Sequence, residues 1–304
     1  MSQASSISAG KSLGLHRVCR ITRTGRSTVY AQRALELKPH ADRPRPLRRG
    51  PVGACPDDEL VVHIRAVLDE SPFHGEGYRK VWAQLRHRSI RTSRERVRRL
   101  MREHALQAPH RVGTPRGPRA HDGTITTDAP DTMWGTDLTS TVTLEEGTAA
   151  VFVAVDHCTC ECIGLHAAKS PNRFEALEPI RQGVREHFGC FGEGVAAGLK
   201  IRHDHGTQYM SGDFQNELTF LGIESSPSFV RQPEGNGCAE RFIRTLKENL
   251  LWVRTFRTID ELREALLEFK RTYNAKWLIE RHGHRTPDQV RQEKLASTPA
   301  TAAA

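Results

Sequence analysis

Beyond Asp128 the sequence changes texture, and that change limits the fold more than any other feature. Met133–Val142 reads as a strand. Ala149–Val155 reads as a second strand, buried because it is apolar throughout. Cys160–Ala167 reads as a third. Helix and strand then alternate: a helix at Phe174–Phe188, a strand at Leu199–His203, a helix at Asp213–Leu221 and a short strand at Ile223–Ser225. A loop, Phe229–Gly237, leads to helices at Cys238–Val253 and Ile259–Tyr273. Three strands in succession followed by alternation indicate an α/β domain, a mixed five-stranded sheet with helices on its faces. Ala149–Val155 is also the longest apolar run, and a membrane-spanning helix needs about 20 such residues. The first residues lack an apolar signal segment, so the seven cysteines are expected as reduced thiols of a cytosolic protein.

The front of the chain differs in charge. Residues 1–122 hold 25 Lys+Arg against 11 Asp+Glu, while residues 123–304 hold 20 against 25. A basic front joined to a slightly acidic back is the asymmetry of a polyanion-binding arm on a separate module. Of the 45 basic residues 36 are arginine, which can contact phosphate with two N–H groups at once.

Within residues 1–56, Leu15, Val18, Cys19 and Ile21 suggest a short helix. A turn at Gly25 and a second helix capped by Ser27, carrying Val29, Tyr30 and Leu35, follow. Residues 39–56 hold five prolines and four arginines and read as a linker. Residues 57–122 read as a helix-turn-helix-like DNA-binding region. Asp57 is expected to cap a helix with Leu60, Val61, Ile64, Val67 and Leu68 on one face. A second helix carries Tyr78, Val81, Trp82 and Leu85. Thr92-Ser-Arg-Glu95 fits a capping box. It opens a third helix that buries Val97, Leu100 and Met101 and shows Arg94, Arg98 and Arg102 on another face, with Arg91 and Arg99 nearby. A face of nearly one sign repels itself unless an anion lies on it, so DNA is the expected partner. Pro109–Arg119 reads as an extended arm, and residues 291–304 as a flexible tail.

Three acids stand out in the back of the chain. Asp137 lies inside the first strand, in Trp134-Gly-Thr-Asp-Leu-Thr. Asp204 ends the fourth strand, in Ile201-Arg-His-Asp-His-Gly-Thr-Gln-Tyr. Glu240 opens the helix after the loop, in Glu234-Gly-Asn-Gly-Cys-Ala-Glu-Arg-Phe. Residues 205–239, 35 in number, separate the last two. Arg244 and Lys247 follow Glu240 at i+4 and i+7, on its face of the helix. Phe242, Ile243, Leu246 and Leu250 form the core face. In this combination the sequence resembles the DDE transposases and retroviral-type integrases, most closely the second-frame transposases of bacterial insertion sequences. The likeness covers most of the chain and is weakest over residues 1–56.

That resemblance implies a ribonuclease-H-like catalytic core over residues 128–290, with Asp137, Asp204 and Glu240 as catalytic acids and metal ligands. Two Mg²⁺ ions, replaceable by Mn²⁺, would hold a nucleophile against a phosphodiester and stabilise the leaving oxygen. Mg²⁺ prefers oxygen ligands and keeps several waters, so few carboxylates suffice. The implied activity is cleavage at the ends of a mobile element and joining of a 3′-hydroxyl to target DNA. Its partners would be duplex DNA, further copies of the chain and an upstream-frame helix-turn-helix protein, in a prokaryotic cytoplasm. Two other readings share the features: a catalytically silent DNA-binding copy, and a ribonuclease-H-like nuclease. His203 and His205 flank Asp204, but strand alternation turns them away from it. Asp156 occupies a position where the family commonly has an acid, and it reads as structural. Cys158, Cys160 and Cys162 alternate on one strand face, where packing is favoured over metal binding.

Overall fold

The computed structural model describes residues 10, 14–37, 55–109, 125–228 and 236–297. The linker over residues 39–54, the arm over residues 110–119 and the loop over residues 229–235 fall outside them. The chain divides into two compact units, residues 1–54 and residues 55–304.

In the first unit α1 (Leu15–Ile21) and α2 (Arg26–Glu36) flank a turn. Ser27 is not a cap: α2 begins at Arg26 behind Gly25, so Ser27 already lies in its first turn. Val18 and Cys19 are buried, whereas α2 buries no residue and leaves Tyr30 and Leu35 exposed.

The second unit opens with three helices, α3 (Asp57–Asp69), α4 (Tyr78–His87) and α5 (Arg94–Glu103). Their shared core is Leu60, Val61, Ile64, Val67, Val81, Leu85, Val97, Leu100 and Met101. Asp57 does not cap α3, because Pro56 holds that position. Its carboxylate is engaged instead by Arg96 Nε and Arg99 Nη2, each at 2.7 Å. The cap of α5 is Ser93, whose hydroxyl accepts from Arg96 N at 3.2 Å. The capping box fails by one residue. Thr92 lies outside the helix, with its carbonyl accepting from Trp82 Nε1 at 2.9 Å, and Glu95 turns to Arg98 at 3.2 Å.

Five strands form one sheet in the order β3-β2-β1-β4-β5. They are β1 (Met133–Thr143), β2 (Gly147–Asp156), β3 (Cys162–Ala168), β4 (Lys200–His203) and β5 (Glu224–Pro227). β1, β2 and β3 are antiparallel neighbours, whereas β4 runs parallel to β1 and to β5. β2 is covered on both faces, and its side chains divide by parity. Ala149, Val151, Val153 and Val155 join α8 (Gly237–Leu246) and α9 (Ile259–Lys276); Ala150, Phe152 and Ala154 join α6 (Arg173–His187) and α7 (Gly212–Leu221). α6 lies close on β3 because residue 164 is glycine: a Cβ there would come within 2.1 Å of Pro179 O.

The three helices are seated on the α8–α9 side. Phe73 joins that core and meets Trp277 edge-on at 4.8 Å. His74 N donates to Asn249 Oδ1 at 2.8 Å, and Arg79 pairs with Glu280 at 3.0 Å. The expected third strand begins later than its cysteines suggest. Cys160 has φ 59° in a turn that Asp156 organises by accepting from the N–H and hydroxyl of Thr159, so only Cys162 is in the strand. A last helix, α10 (Pro287–Ser297), continues through the first residues of the segment expected as a tail. Its Arg291 pairs with Asp131 and with Glu161.

Candidate functional site

β1 is the central strand, and Asp137 stands in its middle, paired in register with Val153. Val153 belongs to the core under α8, so the pleat directs Asp137 toward that helix. One carboxylate oxygen accepts the Leu138 N–H at 2.8 Å. Burial pushes its pKa up to about 6, opposed by that hydrogen bond. The charges of Asp204 and Glu240 push it further up, and Lys247 pulls it down.

Asp204 follows the last residue of β4, the strand beside β1, and is exposed. Its Oδ1 accepts from Gly206 N at 2.8 Å. Glu240 is exposed in the first turn of α8, where a carboxylate suits the positive end of the helix. Partial burial raises its pKa as well. α8 holds Glu240 in place by burying Cys238, Ala239, Phe242, Ile243 and Leu246.

The three acids thus share one neighbourhood. They are not in contact: among the described residues no three His, Cys, Asp or Glu side chains lie close enough to hold a metal ion. Like charges gain nothing by touching, and Asp137 and Asp204 each take a backbone N–H instead. As donors they suit a divalent cation. All are hard oxygen ligands, and Asp137 is already strained by its neighbours' charge.

The two basic residues behind Glu240 separate. Arg244 pairs with Glu248 at 3.0 Å. Lys247 opens a π-helical turn, Lys247–Leu251, and comes near enough to act on Asp137. His203 turns away from the acids, as alternation suggests. It is fully buried, its Nδ1 donates to Asp204 O at 2.6 Å, its Nε2 meets the Ser225 hydroxyl at 2.9 Å, and it packs on Tyr209 and Phe214. His205 is exposed. Asp156 is fully buried and accepts from Asp131 N and Thr159, a turn-forming role.

The arginine face of α5 is less bare than its sequence. Arg99 lies between Asp57 and Glu103 at 2.7 Å from each, Arg98 pairs with Glu95, and Arg94 lies over the Trp82 ring at 4.3 Å. The face of nearly one sign is thus partly neutralised by acids from α3 and from the neighbouring turns of α5. Arg91 and Arg102 have no ion-pair partner among the described residues. Arg96, Arg98, Arg99 and Arg102 line an open surface hollow of about 570 Å³.

Sequence reasoning missed Tyr209, buried beneath the acids and close enough for Asp137 and Asp204 to raise its pKa, after burial. It also missed Asn236, which reads there only as part of a glycine-flanked turn.

Comparison with known proteins agrees with this layout. An HTH-like domain matches residues 56–113. Integrase core domains match residues 127–233 and residues 221–287. The transposase InsD of insertion element IS2A/D/F/H/I/K from Escherichia coli is 29% identical over 203 residues, covering 64% of this chain and 65% of the relative. The InsD of IS2-9 from Escherichia coli strain K12 is also 29% identical over 203 residues, covering 64% of each. The chain therefore spans about two-thirds of the length of the curated relatives it matches. Among solved structures, a simian T-cell lymphotropic virus intasome in complex with a PP2A regulatory subunit is 19% identical, covers 69% of this chain and 70% of that one, and has a TM-score of 0.45. The HTLV-2 integrase catalytic core in complex with magnesium is 19% identical over 54% of this chain and 97% of that one, with a TM-score of 0.39. Among the described residues no helix is long and apolar enough to cross a membrane. With an HTH-like domain over residues 56–113 ahead of integrase core matches over residues 127–233 and 221–287, the chain carries an integrase core and is similar to the InsD transposases of insertion elements.

Proposed function

We propose that the chain cuts DNA at the ends of an insertion element and joins the resulting 3′-hydroxyl to target DNA, using divalent metal held by Asp137, Asp204 and Glu240. The observation that carries this reading is the placement of Asp137 in the middle of the central strand, Asp204 just after its parallel neighbour β4 and Glu240 in the first turn of α8, near enough for the charges of Asp204 and Glu240 to act on Asp137. Three acids on a central strand, its parallel neighbour and the helix packed over them form a negative centre that a cation relieves. Mg²⁺ there would activate the nucleophile and stabilise the leaving oxygen. The chain's own part is positional. β1 and β4 fix the two aspartates, α8 brings Glu240 over them, and Lys247 offers an ammonium to the phosphate beside Asp137.

DNA ends would be held by α5 and its surroundings, with Arg91 and Arg102 as the arginines most available to phosphate. Arg94 and Arg98 would join them by exchanging Trp82 and Glu95 for DNA. Arg244 would exchange Glu248 in the same way. Arg99 is retained mainly as a structural residue. The domain boundaries proposed are a basic segment over 1–56, the DNA-binding region over 57–122, the catalytic core over 128–290 and a short tail. Further copies on DNA, an upstream-frame partner and a nucleoid-associated place in a prokaryotic cytoplasm complete the reading.

The test is Glu240→Gln in the full chain with any upstream partner, labelled element ends and Mg²⁺. Size and shape are kept while one negative ligand is lost. Cleavage and joining should both fall by roughly 100-fold or more, with end binding retained. Undiminished cleavage removes Glu240 from the site. Binding without cleavage by the unmodified chain would favour the silent DNA-binding reading.

A further inference from the structure

The elements that carry Asp137 and Glu240 are tied together by one side chain. Asn236 immediately precedes α8 and is buried. An asparagine at this position ordinarily accepts a backbone N–H from the first turn of its own helix. Asn236 makes no such bond. Its Nδ2 instead donates across to the carbonyl of Thr136 at 2.9 Å, the residue before Asp137 in β1.

The approach depends on Gly135. A Cβ at that position would lie 2.6 Å from Asn236 Oδ1 and 2.7 Å from His157 Nε2. The strand is therefore bare where Asn236 crosses it. His157 is fully buried, and its Nδ1 stands 2.9 Å from the carbonyl of Ile125. Burial favours the neutral ring, so Nδ1 carries the proton and Nε2 is an acceptor. Neither Nε2 nor Asn236 Oδ1 has a hydrogen-bond partner among the described residues.

We propose that Asn236 is a positioning residue: by fixing the start of α8 to the β1 backbone it sets where Glu240 stands relative to Asp137. About one helical turn separates Asn236 from Glu240, a rise of about 6 Å, so little slack intervenes. The inference rests on the reading of the acids as a metal-dependent strand-transfer site.

The test uses the full chain with Asn236→Ala and Asn236→Asp. The first loses the amide, and the second keeps its shape but presents a carboxylate that cannot donate to Thr136 O. Gly135→Ala is a second route to the same displacement, leaving Asn236 itself intact. Hydrogen exchange of the Glu240–Ile243 amides and steady-state joining of labelled ends are measured together, with thermal melting as the check on folding. Exchange in that turn should quicken by about tenfold or more. The kcat for joining should fall about 10- to 100-fold, the range for removing an outer partner of a metal ligand. KM for the DNA end should hold, and melting should remain a single cooperative transition. Unchanged exchange, or a raised KM with kcat intact, overturns the proposal. Quickened exchange in a chain whose unmodified form neither cleaves nor joins DNA leaves the positioning in place and overturns the functional reading instead.

Discussion

Asp137 is half-buried and Asp156 fully buried, and burial pushes the pKa of each up to about 6, yet they are expected to respond oppositely to loss of charge. A raised pKa means that the folded state holds its proton more tightly than the unfolded chain. The stability contributed by each group thus falls as pH rises from about 4 to about 6, and the cost is complete at neutral pH. Asp137→Asn keeps the acceptor for Leu138 N and removes the charge. Thermal melting at pH 7 should show the core unfolding a few degrees higher, roughly what 1–2 kcal/mol yields, while cleavage disappears. Asp156 uses both oxygens, taking Thr159 on one and Asp131 N on the other. In Asp156→Asn an amide NH₂ must face a donor, and denaturant titration should show a loss of about 1–3 kcal/mol. The acids were legible in the sequence because two strand aspartates, a fixed gap and a helix glutamate form a pattern. Asn236 was not, because Gly-Asn-Gly reads as a turn whatever its side chain reaches.

Within α5, the sequence shows a row of arginines but not which of them are occupied. The partners of Arg96 and Arg99 come from Asp57, on α3, which no periodicity within α5 reveals. The consequence is a division between neighbours. Arg102→Ala should lower the slope of log affinity against log salt by about 1, the loss of one phosphate contact, with melting unchanged. Arg99→Ala should lower the melting temperature and leave that slope nearly intact. Asp57 itself is held at a pKa of about 2, first by its hydrogen bond from Arg99 and then by Arg96. Its stabilising effect is present above pH 4 and is lost as pH falls from about 4 to 2. A fluorescence titration of Trp82 in the full chain should show α3 and α5 loosening in that window, earlier than in an Asp57→Asn chain corrected for its lower starting stability. The helices themselves were readable from apolar spacing. Their caps were not, because the carbonyl of Thr92 is committed to a tryptophan ten residues earlier.

Across the whole molecule, a mixed five-stranded sheet with helices on its faces followed from three strands in a row and the alternation after them, and its strand order did not. The seat of the three-helix unit did not. Phe73 completes the core beneath α8 and α9 through Phe269 and Trp277, residues far along the chain that no local pattern connects. Phe73→Ala should therefore weaken both parts together, by about 3–5 kcal/mol. Calorimetry should record a lower transition for the catalytic core as well as for the helices. An unchanged core transition would mean that the two parts are held together by their other contacts, among them those of His74 with Asn249 and Arg79 with Glu280.

The parallel pairing of β1 with β4, and the late arrival of α8, also govern what happens while the chain is being made. A ribosome releases α3, α4 and α5 first, then the sheet, and only afterwards the helices that cover the face of Ala149, Val151, Val153 and Val155. Until α8 and α9 emerge, that face and Phe73 have nothing to rest against, and exposed apolar strands invite aggregation. A product halted before Glu240 lacks its last acid and its cover at once. Premature stops in this region should yield insoluble or rapidly degraded chains, so that a half-made product does not persist.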